Sequence, residues 1–460
     1  MAETKFVPPQ ENKMGTMPIG KLLASMSTPM MISMLVQAFY NVVDSVFVSQ
    51  IGEDALNAVS LAFPLQQLII AVCGGTAVGM NALLSRALGA KNFDRANKIA
   101  NSGIFLFLCS TAVFSLIGIF LSRPFFLAQT DVEQIVKYGT DYASVCVGCS
   151  IGICCQFCFE KLLQATGRTT HSMIAQLVGA VINIILDPIL IFGLLGMPRL
   201  EVLGAAIATI SGQIVAAILA IVFNIKCNKD IHISLKLIRW NSGIIKDIYK
   251  IGLPSIIMQS IGSVMTFTMN KILIGFTTTA TAVFGSYFKL QSFVFMPIFG
   301  LNNGMVPIIA YNYGAKRYDR VKRTITLSVV AAVSIMFVGF MAFELIPHKL
   351  LSFFNASEEM LEIGVPALRT IGTHYLLAGF CIISGSVCQA IGKPVHSLIV
   401  SVCRQLVVLL PSAWLLSLSG RLELVWFCFP IAETVSFVLS SIFLSKTMRR
   451  AKEKMKDIIV

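Results

Sequence analysis

The sequence predicts an all-α membrane protein of twelve transmembrane helices, arranged as two six-helix bundles related by a pseudo-two-fold axis. Three observations predict it. Of the 460 residues, 56% are hydrophobic and only 13% are charged, whereas a soluble domain carries about 25% charged residues. The apolar residues fall in uncharged runs of roughly 18 residues or more, long enough to cross a bilayer as helices. The chain also repeats itself at a constant shift of 225 residues.

Taken in order, the polar residues 1–21 hold no apolar core followed by a cleavage site, so span 1 (20–48) is expected to be retained rather than removed as a signal. Span 2 (57–85) leaves through the basic loop 86–98, and span 3 (97–121) returns to the sparsely charged loop 122–135. Span 4 (136–164) ends at the turn 161–171, and span 5 (170–195) crosses back. Span 6 (202–226) opens into the long basic connection 226–250. Spans 7 to 12 follow the same plan, at 248–275, 281–311, 322–346, 362–388, 395–418 and 423–446. A transmembrane β-barrel is excluded, because its strands alternate in units of about ten residues.

The duplication is legible as sequence. GAKNFDR (89–95) recurs as GAKRYDR (314–320), and QATGRTTHS (164–172) recurs as QAIGKPVHS (389–397). Gly75, Gly79 and Pro29 match Gly300, Gly304 and Pro254 at the same shift. Six spans per copy is an even number, so both copies enter the membrane from one side and their symmetry axis lies along the membrane normal. The expected division is an N-terminal lobe at 1–226, a cytoplasmic linker at 227–247, and a C-terminal lobe with a basic tail at 248–460. In the repeated heptapeptide, Gly is expected to end one helix and Asp to cap the next.

The net charge of +13 does not point to nucleic acid. Of the 36 Lys and Arg, 27 lie in the N-terminus, the alternate loops and the C-terminal tail, and 4 lie in the opposite loops. This positive-inside bias puts both termini in the cytoplasm. The tail TMRRAKEKMK is placed to touch anionic lipid. Twelve Cys sit mostly inside apolar runs. Cys146, Cys149, Cys154, Cys155 and Cys158 share one span at spacings too short for a zinc ribbon, so they read as packing residues and no metal or other cofactor is expected.

Internal repeats with a site at their interface are the usual build of a secondary transporter. No GxxxxGK[ST] loop is present, so an ion gradient is the expected energy source. Ionisable residues inside spans are costly and therefore functional candidates. Gln37, Asn41 and Asp44 form a polar stripe on span 1 at i, i+4 and i+7, and Asn183 and Asp187 follow at i and i+4 on span 5, with Pro188 next. Pro188 lacks an N–H and frees the carbonyl of Ile184. By residue counting both aspartates reach similar depth in the outer half of the bilayer. Two carboxylates sharing a pocket of low dielectric cannot both ionise easily, so one holds a proton. The same oxygens with Asn183 suit Na⁺ equally, and a plain structural network is the alternative. The second copy has Met269 and Ser412 at these two positions, which confines the ion site to the first copy. Glu160, nearer the cytoplasm, either bends toward the site or snorkels. Glu433, Lys271, Lys289 and Arg404 also lie in or near spans, where they line a cavity, pair with one another or reach the interface. Met34, Met258, Met265, Met269, Phe284, Tyr287, Phe288 and Phe295 as a group are the expected wall of a substrate cavity, because Met-rich surfaces suit promiscuous binding, while each one singly reads as core or lipid-facing packing.

The stretches YNVVDSVFVSQIGEDALNAVSLAFP, SRALGAKNFDRANK, QATGRTTH and NIILDPILIFG resemble the MATE (multidrug and toxic compound extrusion) family over essentially the whole chain. The resemblance implies a V of two six-helix lobes and efflux of varied, often cationic drugs in exchange for H⁺ or Na⁺. The chain is most similar to the DinF-like prokaryotic branch, whose acidic groups on helices 1 and 5 fall here on Asp44 and Asp187. Gln37, Tyr40, Asn183 and, across a loop-length difference, Thr209 fall at neighbouring positions. Glu160 stands where related members show Asn, which leaves the ion open. The NorM-type pattern of acidic residues on helices 7 and 10 is absent, with only Glu362 at an edge. The expected protein is a monomeric H⁺-coupled multidrug antiporter, with Na⁺ as the other ion. The rival within the superfamily is a lipid-linked oligosaccharide flippase using Lys271, Lys289 and Arg404, favoured by fourteen spans. A membrane-embedded enzyme or receptor lacks any nucleophile–base motif or metal-ligand cluster in the sequence.

Overall fold

The computed structural model describes residues 12–354 and 356–456, and among them there are helices and connections but no strand. The polar start at 1–11 and the last residues of the basic tail, 457–460, lie outside the described residues. The helices are α1 (Ile19–Ser49), α2 (Glu53–Gly89), α3 (Phe93–Leu127), α4 (Glu133–Cys146), α5 (Ile151–Ala165), α6 (Thr169–Phe192) and α7 (Val202–Lys226) in the first copy. The second copy has α8 (Ser242–Ile274), α9 (Thr278–Gly314), α10 (Tyr318–Leu345), α11 (Glu358–Gly372), α12 (Tyr375–Ala390), α13 (Pro394–Ser417) and α14 (Cys428–Lys456). Among the described residues ten helices are single candidate spans, and the pairs α4/α5 and α11/α12, bent by 41° and 49°, bring the number to 12 if each pair is one span. The two breaks, near Gly148 and Thr373, are again 225 residues apart. At the first of them α3 crosses so closely that a Cβ on Gly118 would stand 2.6 Å from Gly148 Cα.

The repeated motifs build identical loops. After α5 and α12, Gly167 and Gly392 take left-handed φ of 85° and 84°, where glycine has no Cβ to clash. Arg168 N donates to Leu163 O and Lys393 N to Cys388 O, both at 2.7 Å. In the heptapeptide the helices do end at Gly89 and Gly314, but the left-handed residues that turn the chain are Lys91 (φ 55°) and Lys316 (φ 59°). Asn92 N bonds back to Ala87 O at 3.0 Å and Arg317 N to Asn312 O at 2.9 Å. These backbone bonds satisfy the last carbonyls of each helix, so the loop holds without glycine at that position. The first cap is Asn92, whose side chain accepts from Arg95 N at 3.0 Å; Asp94 and Asp319 sit in the first turns instead.

Two compact units emerge, and they do not divide at 227–247. Unit 1 holds residues 12–16 and 32–256; unit 2 holds 17–31 and 257–456. The division runs through α1 and α8, because each unit takes the N-terminal half of one of these helices from the other copy. In unit 1, a Cβ on Gly75 would stand 2.8 Å from Gly252 O. In unit 2, a Cβ on Gly304 would stand 2.7 Å from Ser27 N, and Ser27 Oγ donates to Leu301 O at 3.3 Å. Absence of a side chain at these repeated glycines lets backbone lie on backbone. The last residue of each heptapeptide fastens the incoming helix: Arg95 Nη2 meets Asp247 Oδ2 at 2.9 Å, and Arg320 Nη2 donates to Met17 O at 2.7 Å.

Candidate functional site

Unit 1 contains a buried polar cluster built on α1, α2, α4, α6 and α7. Helices α1 and α6 are pinned at two levels. Ser33 Oγ donates to Gln176 Oε1, Gln176 Nε2 donates to Gln37 Oε1 at 2.9 Å, and near the C-terminal ends of both helices the Phe47 and Phe192 rings meet edge-on at 6.3 Å. Between these pins Asp44 and Asp187 come against one another, with Tyr40 beside both.

Helix α7 closes the cluster through two glycines. A Cβ on Gly179 would meet Gly212 O at 2.7 Å, and one on Gly212 would meet Asn183 Cβ at 3.2 Å. That close crossing lets Asn183 Nδ2 reach Thr209 Oγ1 at 3.3 Å. On the far side Gln66 Nε2 donates to Tyr142 OH at 3.0 Å, and Tyr142 and Cys146 of α4 lie near Asp44.

Asp187 is fully buried and Asn183 is 3% exposed, while Asp44 is half-buried. Both oxygens of Asp187, Oδ1 of Asp44 and Oδ1 of Asn183 accept no hydrogen bond from any described group. Buried acceptors are almost always satisfied. A proton shared between the carboxyl groups matches one oxygen of each aspartate, and a hard monovalent cation held by oxygen ligands matches the set as a whole. In the second case Asp44, Asp187, Asn183 and Thr209 supply the donors.

The remaining candidates are placed differently. Asn41 is exposed, and its carbonyl accepts from Ser45 Oγ at 2.8 Å. Glu160 is buried, but its partners are Gln156, whose Nε2 donates to it at 2.9 Å, and Lys161. Several of the residues expected to wall a cavity are core instead. Met269 is fully buried, and Phe284 and Tyr287 are each 1% exposed. Phe284 and Tyr287 pack against Trp426, Phe429 and Phe343 at ring separations of 5.8–6.3 Å. Met265 is also buried, leaving Met34, Met258, Phe288 and Phe295 half-buried. Lys271 and Lys289 each lie over a ring, of Phe267 and Phe354, at 4.9 and 5.9 Å. Gln66, Tyr142, Cys146, Gly179 and Gly212 belong to the candidate site by their place in the cluster, and sequence reasoning did not single them out for it. The Gly179/Gly212 crossing had a signal, since small residues mark close helix packing in membranes.

Comparison with known proteins agrees with this architecture. A family model, MatE, matches residues 29–189 and again 254–415, once per copy. The chain is 28% identical over 428 residues to the multidrug export protein MepA of Staphylococcus haemolyticus, covering 92% of each chain. It is 27% identical over 406 residues to an FAD transporter of Shewanella oneidensis, covering 86% of this chain and 88% of that one. Among solved structures, an outward-facing multidrug resistance MATE family transporter of the MOP superfamily superposes with a TM-score of 0.91 at 24% identity, covering 97% of this chain and all of the other. A MOP superfamily transporter from Pyrococcus furiosus superposes with a TM-score of 0.90 at 25% identity, covering 97% and 99%.

Proposed function

The chain belongs to the MatE family, and from that premise we propose that it exports bulky, often cationic organic compounds in exchange for protons. It is a multi-pass membrane transporter and not an enzyme. The observation that carries the proton reading is the paired carboxyl groups of Asp44 and Asp187, whose buried oxygens accept no hydrogen bond from described protein groups. The multidrug reading draws on the relatives named multidrug export protein. The prokaryotic plasma membrane, both termini in the cytoplasm, a single working copy and the DinF-like branch complete the proposal.

The cycle follows from exclusivity. Protons enter the Asp44–Asp187 pair from outside, the α1–α6 junction at Gln37, Tyr40 and Pro188 rearranges, and affinity for the exported compound falls. After reorientation the proton leaves to the cytoplasm as a new compound binds. Coupling requires each ligand to prefer a different state. One proton moving through 100 mV is worth about 2.3 kcal/mol, or roughly fifty-fold accumulation.

The test uses purified protein in liposomes with separate H⁺ and Na⁺ gradients and ethidium as the transported cation. The proposal expects uptake driven by a pH gradient and lost in Asp187→Asn. Uptake driven only by Na⁺ would move the same site to the other ion. Uptake driven by protons and unchanged in both Asp44→Asn and Asp187→Asn would remove the site from the mechanism.

A further inference from the structure

The connection between the two copies, residues 226–250, is laid as a strap along α3. Two asparagines of that helix hold its backbone. Asn97 Oδ1 accepts from His232 N at 2.7 Å. Asn101 holds the strap twice, its Nδ2 donating to His232 O at 2.9 Å and its Oδ1 accepting from Ser234 N at 3.0 Å. Further along, Trp240 of the strap meets Phe105 of α3 edge-on at 6.2 Å. Asn97, Asn101 and Phe105 fall at i, i+4 and i+8, so the strap follows one face of α3 for about 12 Å.

Beyond Phe105 the same face continues as exposed apolar side chains: Leu108, Leu116, Ile119 and Phe120. On a helix that crosses a membrane, such a stripe faces lipid. Trp240 therefore stands where the lipid-facing stripe begins, and it is 64% exposed. Tryptophan concentrates at this level of a membrane, because its ring is apolar and its N–H reaches the headgroups. The charges of the strap are unbalanced as well. It carries exposed Lys226, Lys229, Lys236, Arg239, Lys246 and Lys250, against two acids, Asp230 and Asp247. Both acids are occupied from outside the strap, Asp230 by Arg168 at 2.8 Å and Asp247 by Arg95 at 2.9 Å. Among the described residues no ion pair reaches any of the six cations. A loop that served topology alone would need the cations but not an exposed tryptophan at the edge of the stripe.

We propose that the strap is a docking surface for anionic phospholipid. Trp240 seats among the headgroups at the start of the α3 stripe, and Lys236 and Arg239 beside it take the phosphates. A guanidinium matches a phosphate through its planar fork and an ammonium matches it as a point charge. Each basic residue near an anionic surface favours binding by about fivefold. The joint between the two copies is thereby held at the membrane surface. The inference does not depend on what is transported.

The experiment reads quenching of Trp240 fluorescence by brominated lipid, with the full chain reconstituted in phosphatidylcholine vesicles that hold a minor fraction of phosphatidylglycerol. The bromines are carried in one set by the phosphatidylglycerol, and in the other by an equal fraction of the phosphatidylcholine. Both leaflets have one composition, so the orientation of the protein does not matter. The background is Trp414→Phe, because Trp414 is exposed and would respond too, whereas Trp426 is buried. Subtracting the signal of Trp240→Phe/Trp414→Phe isolates Trp240. The expected result is quenching at least threefold stronger from brominated phosphatidylglycerol, falling to parity in Lys236→Gln/Arg239→Gln and in molar salt. Equal quenching by the two lipids, or a preference that survives the double substitution, would overturn the inference. So would the absence of quenching by either lipid, which would put the strap in water.

Discussion

The close crossing of α6 and α7 makes a sharp prediction. Gly179→Ala places a Cβ 2.7 Å from the carbonyl oxygen of Gly212 and 2.8 Å from Ala216 Cβ. The first obstacle is backbone and cannot rotate away. Ordinary contact begins near 3.4 Å, so the helices must part by about 0.7 Å. Asn183 Nδ2 and Thr209 Oγ1, already 3.3 Å apart, would then stand about 4.0 Å apart, beyond hydrogen-bond range. Overpacking of this kind costs about 1–3 kcal/mol. Unit 1 has about 230 described residues, a size at which 1 kcal/mol shifts Tm by roughly 2–4 °C. Thermal unfolding of the purified variant should therefore drop by several degrees. Proton-driven ethidium uptake should fall at least tenfold, since displacements near 1 Å at a site cost up to about a hundredfold. The control is Gly285→Ala in α9, where nothing lies within 4 Å of the new Cβ. It should leave Tm unchanged or raised, because alanine is favoured over glycine in a helix by about 0.5–1 kcal/mol. Full transport and unchanged Tm in Gly179→Ala would refute the packing argument.

Other expectations follow from the N-terminal segment and the repeated loops. Arg320→Ala removes the bond that holds Met17 O and the one to Asn312 Oδ1 at 2.9 Å, and should lower thermal stability by about 1–3 kcal/mol. Arg95→Ala removes only an exposed ion pair and should cost about 0–1 kcal/mol in the same assay. Asn12→Ala loses its bonds to Thr166 O at 2.9 Å and Asp230 Oδ1 at 3.1 Å, and limited proteolysis should then cut the N-terminal segment faster. Burial first, and the Arg168 charge second, hold the Lys13 ammonium below the ordinary lysine value of 10.5. A base lowered in the folded state favours folding more as pH rises toward 10.5, so wild-type Tm should gain in that window and Lys13→Met should lose that gain.

Hydropathy and duplication made the twelve spans and their symmetry readable, because burial in lipid acts on composition and length. Packing partners were not readable in the same way. The exchange of N-terminal half-helices depends on Gly75 meeting Gly252 and Gly304 meeting Ser27 across long stretches of chain. Periodicity within one helix carries no information about which neighbour it meets. Asp44 and Asp187 stood out because charge is rare in a span, whereas Tyr142 and Gln66 look like any interfacial polar residue until the fold gathers them. Residue type misled at Met269, Phe284 and Tyr287: the chemistry that suits a promiscuous wall also suits a dry core, and only burial separates the two. Glu160 likewise needed the structure, since a neighbour on its own helix, Gln156, takes its carboxylate.

Proton release on ligand binding tests the central claim most directly. Ethidium would be added to purified, unbuffered protein near neutral pH while a pH indicator counts protons leaving the protein. The account predicts release of about one proton per chain, abolished in Asp187→Asn and in Asp44→Asn. Saturable binding without proton release in the wild-type protein, or release that persists in both variants, would contradict it.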